Sequence, residues 1–120
     1  MTDGTKAALT GAGIQVDEAL ERLMGSEALL ERLLGKFLED RNLAELTTAL
    51  AEDRREDAFR AAHTLKGVCG NLSMTRLEAL VSQMVELLRG EGELAAAQAL
   101  LPEVTEACRE VREAISGALS

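Results

Sequence analysis

The sequence predicts an all-α fold, an up-down-up-down antiparallel four-helix bundle preceded by a short extra helix. Three observations predict it. Apolar residues recur at threes and fours along most of the 120-residue chain, the period of a helix with one buried face. Strand signals are absent, since no β-branched run alternates with polar residues. Apolar residues make up 47% of the chain and aromatics only 2%, so Leu and Ala must do the packing, as they do where helix packs on helix. A chain of 120 residues is one domain by size and buries a modest core.

Taken in order, Met1 to Gly13 shows little periodicity and reads as a flexible arm or linker end, leaving residues 14–120 as the domain. Asp17 to Met24 is a short helix, capped by Val16 or Asp17 and ended by Gly25. Ser26 is a good N-cap, with Glu27 in the first turn. From there to about Leu50 the pattern is helical, with a bend expected around Asp40 to Asn42. Its Leu stripe is bundle core. Glu52 to Arg55 is a charged turn. Glu56 to Leu72 is the central helix, with Ser73 or Thr75 as the cap of the next. Met74 to Arg89 is another amphipathic pattern, and Gly90 and Gly92 break it. Glu93 to about Leu119 is the last helix, with Pro102 inside it removing one backbone donor. Short turns between such helices make neighbours antiparallel.

The central helix carries the chain's only histidine, His63. At about 100° per residue, Ala58, Ala62, Leu65, Cys69 and Leu72 form one apolar stripe. His63, Lys66, Gly67 and Gly70 fall on a roughly opposite stripe. The imidazole therefore points away from the core, beside a cation and over two residues without side chains. Gly inside a helix costs about 1 kcal/mol relative to Ala. Two within four residues imply that another group must come close to the backbone. We read this face as presenting His63 to a bulky partner that docks across Gly67 and Gly70.

HTLKGVCGNLSM resembles the signature of histidine-containing phosphotransfer (HPt) domains, which run H-x-L-K-G, then small residues, Asn-Leu and usually Gly. His63, Leu65, Lys66, Gly67, Gly70, Asn71 and Leu72 match. The resemblance extends more loosely from about Gly13 to Leu119. It implies that His63 accepts a phosphoryl group from an aspartyl phosphate on a receiver domain and passes it to another receiver. Lys66 would neutralise the phosphoryl oxygens. Phe59, Gly67, Val68, Gly70 and Asn71 would meet the partner, a response-regulator receiver or hybrid histidine kinase, which supplies the Mg²⁺. The chain needs no cofactor of its own. Three positions depart from the pattern: Val68 and Cys69 stand where Ser or Ala is common, and Ser73 where Gly is usual. The family often places Gln or Glu on the following helix against the histidine. The matching position here is Val85, with Gln83 and Glu86 close by as second candidates to orient the ring.

Imidazole titrates near neutrality, so an exposed one offers a nucleophilic ring nitrogen. Phosphoryl transfer then asks mainly for positioning and charge neutralisation. No glycine-rich nucleotide loop is present, which makes the chain a carrier and not an ATP-using enzyme. Two other readings stand beside this one: the phospho-accepting module of a chemotaxis-type kinase, and a non-catalytic helical-bundle adaptor.

Composition bounds the partners. A net charge of −8 disfavours nucleic acid, whose phosphates need clustered Lys and Arg. Cys69 and Cys108 form no C-x-x-C pair, one His gives no zinc spacing, and the reading is a reduced, cytoplasmic chain. The resemblance to HPt domains implies a monomer. No apolar run is long enough to span a membrane, so no membrane partner is expected. The adjacent carboxylates, such as Glu39–Asp40, belong to a solvated surface.

Overall fold

The computed structural model describes residues 1–120 and is all-helical. It contains seven helices: α1 (Asp3–Gly11), α2 (Val16–Arg22), α3 (Glu27–Phe37), α4 (Asn42–Ala51), α5 (Arg55–Asn71), α6 (Thr75–Arg89) and α7 (Ala95–Leu119). α5 packs along both α4 and α6, and α7 lies against α6, α4, α3 and α1. The predicted stripes supply most of the core. Leu30, Leu34 and Leu46 from the Leu stripe, Leu65 and Cys69 from α5, Val81 and Met84 from α6, and Val104 and Ile115 from α7 are all buried. α7 runs through the exposed Pro102.

Three expectations are corrected. Residues 1–13 are not a flexible arm. Thr2 caps α1 by accepting the Thr5 amide at 3.0 Å, and Leu9 is fully buried. One apolar anchor in nine residues is too sparse to register as a period, which is why the segment read as structureless. The Gly13 turn that follows has φ +91°, and an added Cβ would stand 2.8 Å from the Arg76 Cβ, so only glycine fits there. Beyond it, Ile14 makes an isolated antiparallel bridge with Met74, tying the α1–α2 link to the α5–α6 turn.

The second correction concerns the long Leu-rich helix. It is two helices, broken between Phe37 and Asn42, so the bend expected around Asp40 to Asn42 is a full interruption. Asp40 makes the break by accepting the Asn42 amide and the Asn42 side chain, each at 2.9 Å. The cap of α6 also differs. Met74 holds that position without a side-chain bond, while the Ser73 hydroxyl, at φ +53°, donates to Glu18 instead.

Helix C-termini carry unpaired carbonyls and a partial negative charge. Here arginines from other helices meet them. Arg76 reaches Gly11 O at the end of α1 (3.3 Å), and Arg22 reaches Gly70 O (2.6 Å) and Asn71 O (3.1 Å) at the end of α5. Arg55 spans Leu88 O (3.1 Å), Gly90 O (2.7 Å) and Gly92 O after α6. Arg112 bridges Leu38 O (3.0 Å) and Asp40 O (2.9 Å) at the α3–α4 break, with its guanidinium 5.5 Å from the Phe37 ring centroid. The two charge-assisted bonds of Arg112 contribute about 2 kcal/mol together. Arg112→Ala is therefore expected to lower the urea unfolding free energy by about 2 kcal/mol. Arg112→Lys should recover only part of it, because one ammonium does not match the planar fork. A loss below about 0.5 kcal/mol, the range of ordinary surface changes, would show that the break is held without Arg112.

Candidate functional site

α5 forms because Ala58, Ala61, Ala62, Leu65 and Cys69 supply a continuous buried face on good helix formers. That burial sets the rotation of the helix, and the rotation puts His63 outward near its midpoint. His63 is exposed, and its ring makes no hydrogen bond and no ion pair within the molecule. Lys66, one turn on, is half-buried and likewise carries no ion pair. Arg60, one turn before, is exposed and pairs with Asp57 at 2.7 Å. On a chain of net charge −8, His63 thus lies between two basic residues of its own helix.

The glycines differ from one another. A Cβ on Gly67 would meet nothing within 4 Å, so that ground is open. A Cβ on Gly70 would lie 3.5 Å from the Glu78 carboxylate, ordinary contact, and its carbonyl is already held by Arg22. Alanine fits at either position, so nothing inside the molecule requires glycine at 67 or 70. Val68 is half-buried against the core and lies with Asn71 on a different side, in a groove of about 450 Å³ between α2, α3 and α5. Leu23, Leu33 and Phe37 form the apolar wall of that groove.

Phe59 stacks on His63, with ring centroids 5.8 Å apart and planes at 13°. The Arg89 guanidinium of α6 stands 5.9 Å from the Phe59 ring centroid. The residues named from sequence on the following helix do not join the ring. Gln83 is exposed with no hydrogen bond, and Glu86 pairs with Arg89 at 3.7 Å. Val85 is fully buried in the core and carries no polar atom. Sequence reading missed Arg60 and Arg89. The first lies at i−3 from His63 and was legible from spacing, whereas the second depends on the α5–α6 register.

Cys69 and Cys108 are free and buried. Burial, and then the neighbouring Cys108, pushes the Cys69 thiol well above its ordinary range, which leaves it inert packing. No three His, Cys, Asp or Glu side chains are gathered where they could hold a metal ion. No helix is long and apolar enough to cross a membrane.

A family model described as Hpt domain matches residues 28–114. The chain belongs to the Hpt domain family. The matched span contains α5 and the whole HTLKGVCGNLSM stretch, and begins inside α3. Membership makes this Hpt domain a histidine phosphotransfer module of phosphorelay signalling, working with receiver domains or kinases. Comparisons with curated proteins and with solved structures find no match.

Proposed function

We propose that His63 is the phosphoryl acceptor of a phosphorelay carrier, charged from a receiver-domain aspartyl phosphate and discharged to another receiver's Asp. The observation that carries this is the state of the one imidazole. It stands in solvent at mid-helix, uncommitted to any internal bond, beside an unpaired ammonium and open backbone at Gly67. One ring nitrogen attacks phosphorus, an N–P bond forms, and the P–O bond to the carboxylate breaks. The receiver's Asp leaves as carboxylate, and the proton on the other ring nitrogen stays. The receiver brings the Mg²⁺ that neutralises the oxygens, and Lys66 adds a positive charge from this side.

In this reading the chain is a substrate and carrier without an ATP site, acting as a cytoplasmic monomer. Gly67, Gly70 and Phe59 form the ground on which the receiver settles, and Val68 and Asn71 would meet it only where it extends to the groove beside α2 and α3. Residue pairings support the up-down-up-down bundle as its scaffold. Phe59 meets Arg89 while Gly70 meets Glu78, so α5 and α6 run in opposite directions. Gln98 reaches Leu50 O at one end of α4 and Arg112 reaches Asp40 O before the other, so α4 and α7 do too.

The test is to mix the protein with a phosphorylated receiver and Mg²⁺ and assay acid-labile, base-stable phosphate on it. Labelling by a receiver supports the relay. Labelling only by a chemotaxis-type kinase makes the domain that kinase's acceptor module, and no label from either leaves an adaptor. Lys66→Ala should slow labelling about tenfold, since a partly exposed charge contributes less than a buried one. Initial rates at low and high salt check this, because the deficit should shrink as salt screens the lysine.

A further inference from the structure

An acceptor histidine needs its reactive nitrogen aimed, because phosphoryl transfer is sensitive to small errors of alignment. A free imidazole on a helix surface samples several rotamers. Here no hydrogen bond restrains it, and the residue at the place where the resemblance puts an amide or carboxylate is a buried valine. An aromatic contact stands in that place. The Phe59 ring, four residues earlier on the same face, lies nearly parallel to the imidazole, 13° between planes and 5.8 Å between centroids. An offset parallel pair is a preferred aromatic geometry.

We infer that Phe59 is the positioning residue of this site, holding the His63 ring by stacking where a hydrogen bond would otherwise do so. The inference rests on His63 being the acceptor. Phe59 suits the role because it is itself held: it is half-buried, packed against the core, and approached by the Arg89 guanidinium from α6. Arg89 also faces Glu86 at 3.7 Å in an exposed pair. The α6 helix therefore acts on the imidazole through a cation and an aromatic ring. Stacking also favours the product. Attack through one ring nitrogen, with the proton kept on the other, leaves a positively charged ring, and an aromatic face attracts a cation.

Phe59→Leu keeps an apolar side chain of similar reach but removes the stack, while Phe59→Tyr keeps it. With one histidine in the chain, its ring protons are identifiable by proton NMR. Those protons should lose their ring-current shift in Phe59→Leu and keep it in Phe59→Tyr. The small donor phosphoramidate labels the imidazole without any receiver, so it reads positioning separately from docking. Labelling by phosphoramidate should slow about tenfold in Phe59→Leu and stay near wild type in Phe59→Tyr, with unchanged helicity in both. Equal phosphoramidate rates for wild type and Phe59→Leu would overturn the inference, as would a deficit seen only with a receiver, which is a docking effect. Loss of rate in Phe59→Tyr equal to that in Phe59→Leu would overturn it as well. Wild type that takes no label at His63 would instead remove the acceptor reading on which it stands.

Discussion

Replacing His63 by Gln is expected to abolish phosphoryl acceptance while leaving the fold intact. The chemical half follows from the amide. Gln matches imidazole roughly in reach and polarity, but its nitrogen lone pair is delocalised into the carbonyl and does not attack phosphorus. No second histidine exists to substitute for it. The structural half follows from exposure. His63 makes no internal hydrogen bond, its stack on Phe59 is a surface contact, and Gln is a better helix former than His. Stability should therefore stay within about 0.5 kcal/mol of wild type. Acid-labile label after incubation with a phosphorylated receiver should fall to background, and the thermal midpoint should not move. Label that persists in His63→Gln would reject the acceptor. A large drop in midpoint would mean that the imidazole does structural work its surroundings do not show.

How much of this was legible in the sequence depends on whether the deciding force was local. The burial of Leu65, Cys69, Val81 and Ile115 was readable because helical period and burial are the same fact seen twice. The outward face of His63 followed from that rotation. Ser26 was readable as a cap, and it accepts the Leu29 amide at 3.2 Å. The α3–α4 break was only half legible. Its position shows in Asp40 and Asn42, but residues 38–41 hold no Gly or Pro. What holds the ends apart is Arg112, more than seventy positions away. α1 was illegible because a nine-residue helix with one fully buried anchor is stabilised by packing on α7 and not by its own pattern. Ser73 misled as a cap because its hydroxyl serves Glu18 on another helix. At the site, the Phe59–His63 pair was latent in an i,i+4 spacing. Its anchoring by Arg89, and the absence of any bond from Gln83 or Glu86, depend on the α5–α6 register, which no local pattern encodes.

Gly67→Leu separates docking from chemistry more cleanly than any change at the histidine. Gly67 lies inside α5, and a Cβ added there meets nothing within 4 Å, so the backbone accepts a side chain at this position. Exchanging Gly for Leu at an exposed helix interior gains about 0.8 kcal/mol of helix propensity. The thermal midpoint should rise by roughly 4 °C for a domain of this size. Most losses of function come with losses of stability, so a variant that is firmer and yet inactive would locate the defect in the encounter itself. The introduced isobutyl group would stand one turn beyond His63 on the same face, where the reading places the receiver's catalytic centre. Transfer from a phosphorylated receiver should then fall about a hundredfold, the cost of a misplacement near 1 Å. Labelling by phosphoramidate, which needs no docking, should stay within a factor of two or so of wild type, because the imidazole and Phe59 are untouched. If receiver transfer survives Gly67→Leu, the bare ground at this position serves no close approach, and its glycine is a helix defect without a function. If phosphoramidate labelling fails along with receiver transfer, the leucine has displaced the imidazole, and the two effects are not separable at this position.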